Sequence, residues 1–75
     1  MNNTPQTEPL LILGNKVKKR RTELTLSQES LAGICGFDRT YISLIERGKR
    51  NISFTNLLTL TEGLKISISD LTRDI

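Results

Sequence analysis

The sequence predicts an all-α domain of five short helices. Three observations point there: apolar residues recur at three- and four-residue spacing, Ser or Asp precedes four of the runs, and strand signals are poor. The one alternating stretch, Lys65-Ile66-Ser67-Ile68-Ser69, is better explained as the start of a helix, because Ser67 and Asp70 form a capping box.

Residues 1–9 are polar, carry two prolines and show no periodicity, so they are expected to form a flexible N-terminal tail, with the folded domain spanning residues 10–75. From Leu10, the positions Leu10, Leu13, Val17 and Leu24 share a face of a first helix reaching about Glu23, whose other side is the cluster Lys16, Lys18, Lys19, Arg20 and Arg21. Ser27 caps a second helix, Gln28 to Cys35, stopped by Gly36. Phe37 anchors the turn, and Asp38 caps a third helix running to about Arg47 and closed by Gly48. Ser53 caps a fourth helix to about Gly63, with Ile52 and Leu57 as its hydrophobic staple. Ser67 begins a short fifth helix, stapled by Ile66 and Leu71.

Composition narrows the function. With no histidine and one cysteine, Cys35, the chain lacks the common zinc ligand sets, any disulfide framework and the imidazole of most nucleophilic sites, so neither an enzyme nor a metal or cofactor protein is expected. Cys35 falls on the inner face of the second helix and is expected to pack as a core thiol. The longest apolar run is Leu10 to Leu13, too short for a membrane span, and a cytoplasmic protein is expected, associated with the nucleoid when bound to DNA. No small-molecule ligand is evident. The net charge of +3 is uneven: residues 16–50 hold nine Lys/Arg against four Asp/Glu, whereas residues 51–75 hold two against three. A basic middle beside a near-neutral end suits a polyanion-binding surface with a separate assembly surface.

Two short helices joined by a brief glycine-containing turn have the layout of a helix-turn-helix. Advancing 100° per residue along the third helix, Ile42 and Ile45 fall together on the core side. The opposite side presents Thr40, Ser43, Leu44 and Arg47, flanked by Arg39 and Tyr41. The first residues of the second motif helix approach base edges, so Arg39, Thr40, Ser43 and Leu44 are the candidate base-contacting residues. A guanidinium can grip guanine O6 and N7, hydroxyls can bond several base edges, and the Thr40 methyl or Leu44 can touch a thymine methyl.

Leu13-Gly14, Val17, Arg21, the run Leu26-Ser27-Gln28-Glu29-Ser30-Leu31-Ala32 and the run from Asp38 to Asn51 together resemble the XRE/Cro/C1 helix-turn-helix family of phage-type repressors. The stretch from Asp38 to Asn51, on so short a chain, is particularly similar to the controller proteins of restriction-modification systems. The resemblance implies a compact lambda-repressor-like domain that binds double-stranded DNA. It implies that Gln28 grips the DNA backbone from the N-terminal turn of the second helix, that Tyr41 lies near the backbone or base edges, and that Arg47, Lys49, Arg50 and Asn51 lie near phosphates. It also implies a structural ion pair between Arg21 and Glu46, with Arg21 able to touch a phosphate as well. Thr25 and Lys65 stand where the family carries glycine, and a β-branched Thr disfavours positive φ, so the first turn is expected to differ locally.

One recognition helix covers only a few base pairs, so a homodimer on a pseudo-palindromic operator is expected, with half-sites about 34 Å apart. Leu64, Ile66, Ile68, Leu71 and Ile75 are the candidate twofold interface. Such a dimer would block RNA polymerase or recruit it. The competing reading is an antitoxin-like protein that chiefly binds a protein partner; only nine polar residues precede the predicted fold, little room for the added segment such proteins carry.

Overall fold

A computed structural model describes residues 7–75. Within them are five helices, α1 (Thr7–Glu23), α2 (Gln28–Cys35), α3 (Arg39–Glu46), α4 (Phe54–Leu64) and α5 (Ile68–Leu71), and no strand. Helix α1 begins three residues before the expected Leu10 and takes in Thr7, Glu8 and Pro9. Pro9 is only the third helical residue, where its missing N–H would have had no intrahelical partner. The remainder of the expected tail, residues 1–6, lies outside the described residues.

The four predicted N-caps form. Ser27, Asp38, Ser53 and Ser67 have extended backbones, and their side chains accept from the backbone N–H of Ser30, Thr40, Asn56 and Asp70. The capping box at Ser67 is only half made, because the Asp70 carboxylate pairs instead with Arg73.

Helices α1 to α4 all close in the same way. At each end one N–H reaches back five residues and the N–H before it reaches back three: Leu26 to Arg21 and Thr25 to Thr22, Phe37 to Ala32 and Gly36 to Gly33, Lys49 to Leu44 and Gly48 to Ile45, Ile66 to Thr61 and Lys65 to Glu62. This is the Schellman pattern, which requires a left-handed residue at the turn. Gly36 and Gly48 supply it cheaply, but Thr25 (φ 58°) and Lys65 (φ 53°) adopt it as well. The expected departure at Thr25 therefore does not occur. The residue after the left-handed one is Leu26, Phe37 or Ile66 in three of the four turns, and each packs against the core. Burying that side chain offsets the roughly 1–2 kcal/mol that a Cβ adds in the left-handed region.

The core is one cluster in which Val17, Leu31, Ile42, Ile45, Leu60, Leu64 and Leu71 are almost fully enclosed. Leu64 and Leu71, expected at a twofold interface, are thus occupied inside the monomer and have no surface to offer a partner. Cys35 is half-buried beside Gly63, where a Cβ would meet its Sγ at 2.8 Å. Burial pushes the Cys35 thiol up, which keeps it protonated and suits packing.

Candidate nucleic-acid interface

Helix α3 is held against α1 by close approach and by charge. Gly14 of α1 faces the backbone of α3, and a Cβ there would meet the carbonyls of Ile45 and Glu46, the latter at 2.6 Å. One turn and three residues further on, Arg21 donates from Nε and Nη2 to the two carboxylate oxygens of Glu46 at 2.6 and 3.1 Å, and from Nη1 to the Leu26 carbonyl at 2.7 Å. The pair is buried, with 11% and 2% of the two side chains exposed. The Glu46 hydrogen bond, with its charge, raises the Arg21 pKa further above its ordinary value against the opposing effect of burial. Each of the three nitrogens of Arg21 is thus engaged within the domain, and the residue is a strut between helices, with one further N–H on each of Nη1 and Nη2.

Gln28 joins the same strut. Its amide donates to Glu46 Oε1 at 3.0 Å, so the carboxylate ties α1, α2 and α3 together. The second amide hydrogen and the carbonyl oxygen of Gln28 remain for an outside partner. At the adjoining end of α2 the Ser27 hydroxyl takes the Ser30 N–H, leaving the N–H groups of Gln28 and Glu29 pointing out of the first turn.

The outward side of α3 is as the periodicity placed it. Arg39, Thr40 and Arg47 are exposed, with Ser43 and Leu44 half-buried between them. With its side chains an α-helix is about 10–12 Å across, which matches the width of the DNA major groove, and the eight residues of α3 run about 12 Å along it. Lys49, Arg50 and Asn51 follow on the exposed connection to α4. Glu46 is committed to Arg21, so Asp38 alone among the carboxylates from residue 38 to residue 51 is exposed, against Arg39, Arg47, Lys49 and Arg50.

Tyr41 is fixed from three sides. The Phe37 ring meets it edge to face at 5.0 Å, the Arg50 guanidinium lies 5.2 Å from its centroid, and the Asn56 amide donates to its hydroxyl at 3.1 Å. The hydroxyl proton is left to donate outward. Asn56 was not among the candidate residues of the sequence. It lies fifteen residues from Tyr41 on another helix, and no local pattern signals that it would pin that side chain.

The chain from residue 17 to residue 71 matches the family model described as helix-turn-helix. The chain belongs to the helix-turn-helix family. It is 56% identical over 63 residues to control protein C.MunI from a Mycoplasma species, covering 83% of this chain and 85% of that protein. Among solved structures, it is similar to the restriction-modification controller protein C.AhdI from Aeromonas hydrophila, with 42% identity, a TM-score of 0.81 and coverage of 83% of this chain and 94% of that one. It is also similar to the controller protein C.Esp1396I, solved as a tetramer in complex with its natural 35 base-pair operator, with 38% identity, a TM-score of 0.78 and coverage of 84% and 83%. Within this helix-turn-helix domain, α2 and α3 are the two motif helices, and α1 is the buttress that sets the depth at which α3 projects.

Proposed function

We infer that the protein is a sequence-specific DNA-binding transcription regulator of the restriction-modification controller type, working in the cytoplasm as a homodimer on a pseudo-palindromic operator and without enzymatic activity. The observation that carries this reading is the exposed, cation-bordered face of α3 on a helix fixed from behind by the Arg21–Glu46–Gln28 strut. Contacts to base edges need side chains whose backbone does not wander, and this strut and the contacts around Tyr41 supply that constraint.

In this mechanism the N-terminal end of α3 enters the major groove. Arg39, Thr40, Ser43 and Leu44 contact base edges, while Gln28, Tyr41, Arg47, Lys49, Arg50 and Asn51 hold the flanking phosphates. The assembly of C.Esp1396I as a tetramer on its natural 35 base-pair operator supports assembly beyond a single protomer here. With Leu64 and Leu71 buried, the surface left for the partner is Ile66, Ile68 and Ile75, extended by Phe54 and Leu58 one turn apart on α4; Phe54 is 66% and Leu58 40% exposed. Bound at its operator, the dimer blocks RNA polymerase or recruits it according to where the site lies.

The test is selection of bound sequences from random duplex DNA with wild type and Arg39→Ala in parallel, followed by affinity measurements at two salt concentrations. The expected result is a palindrome with half-sites one turn apart, relaxed at one position in each half by the substitution. If Arg47, Lys49 and Arg50 of both protomers neutralise phosphates, log K falls with log salt at a slope of about −5. Failure to enrich any motif refutes sequence reading and leaves only a generic polyanion surface.

A further inference from the structure

The basic run of α1 does not all face the same way. Gly14 and Arg21 point at α3, and at 100° per residue Lys16 lies about 200° round the helix from Gly14, and Lys19 about 200° round from Arg21. Both lysines therefore turn to the flank remote from α3, where they line a cleft of about 440 Å³ between α1 and the α4–α5 corner. A cleft of that size falls in the range of small-molecule sites.

The charges around this cleft are unequal in a specific way. The Arg20 guanidinium is used on the fold, donating from Nε to the Leu64 carbonyl at 2.8 Å and from Nη2 to the Lys65 carbonyl at 2.9 Å, where it closes the C-terminal end of α4. The two carboxylates in the lining have cations of their own: Glu23 pairs with Arg20, and Asp70 with Arg73. Lys16, Lys19 and Lys65 have no ion pair among the described residues. Lys16 and Lys19 are three residues apart on one helix face, a spacing at which like charges repel. Lys65 reaches the cleft from a left-handed backbone that glycine would adopt more cheaply. Lys16, Lys19 and Lys65, none with an ion pair among the described residues, thus line one concavity together with the half-buried Ile66.

We propose that this cleft binds a small, multiply phosphorylated anion of the nucleoside polyphosphate class, with Lys16, Lys19 and Lys65 on the phosphates and the half-buried Ile66 beneath the apolar part. A duplex backbone presents a convex row of phosphates, which meets a rim but does not fill a concavity. A compact polyphosphate carrying a ring fills both the charged mouth and the apolar floor. The site is separate from the α3 surface, although it shares Ile66 with the surface proposed for the partner protomer.

ATP and inorganic tripolyphosphate are the probes, titrated into the full chain by calorimetry and by amide NMR. The expected result is saturable one-to-one binding, shifts in residues 16–23 and 64–71, and tighter binding of ATP than of tripolyphosphate. Lys65→Gly removes one ammonium from a backbone that already suits glycine, and is expected to weaken ATP binding about fivefold. Lys16→Gln/Lys19→Gln is expected to weaken it about tenfold or more, or about 1.4 kcal/mol. Shifts confined to residues 38–51, no saturation at millimolar ATP, or unchanged affinity in both variants would each overturn the proposal. So would a loss of operator affinity in Lys65→Gly as large as its loss of ATP affinity, which would make the cleft a duplex contact.

Discussion

Replacing Glu46 by alanine is the sharpest probe of how this domain is held together. The substitution leaves the Arg21 guanidinium buried, with 11% of its side chain exposed and two of its three nitrogens without an acceptor, and it frees the Gln28 amide. Breaking a buried pair by removing one partner costs about 3–5 kcal/mol, because the remaining charge stays desolvated. A chain of 75 residues has a total stability of about 4–11 kcal/mol, so the variant is expected to lose about a quarter or more of it. With an unfolding entropy of about 2.1 cal/mol/K per residue, the melting temperature should fall by about 20–30 °C. Urea denaturation followed by far-ultraviolet circular dichroism measures the loss, and the double variant Arg21→Met/Glu46→Leu separates its causes. If desolvated charge dominates, the apolar pair recovers most of the stability even though two hydrogen-bonding groups have gone. A Glu46→Ala loss below about 1 kcal/mol would match an exposed pair and refute the claim that this contact is the strut of the motif.

Other expectations follow from single contacts. Gly14→Ala should lower stability by about 1–3 kcal/mol in urea titrations although alanine favours helix, because the added Cβ meets α3 backbone that cannot rotate away. Thr25→Gly should raise stability by about 0.5–1 kcal/mol in the same assay by relieving a left-handed β-branched residue. Phe54→Ser and Leu58→Ser should leave the monomer within about 0.5 kcal/mol of wild type, since both side chains are exposed, yet shift sedimentation towards the monomer. A dimer of unchanged strength in both would move the twofold contact elsewhere.

Much of this protein is legible along the chain because its signals are local. A cap is a side chain meeting an N–H two or three residues away, so Ser27, Asp38, Ser53 and Ser67 could be assigned from spacing alone. The outward face of α3 follows equally from its period, since Ile42 and Ile45 must turn inward and Thr40 and Arg47 are then carried outward. The family's Arg21–Glu46 pair was likewise foreseeable from the residues at those two positions. Distance in sequence is where such reasoning stops. Periodicity marks Leu64 and Leu71 as apolar but does not say whether the surface they need comes from their own chain or from a second one; the packing of α4 and α5 onto the core decides that. The left-handed turn at Thr25 is set by the burial of Leu26, and the fixed posture of Tyr41 by Asn56 on another helix. Sequence alone determined the helices, their caps and the face of α3, because each depends on neighbours within about four residues. Tertiary structure decided which apolar groups are spent inside, which cations are paired, and where Lys16, Lys19 and Lys65 meet, because burial and Coulomb energy depend on separations in space.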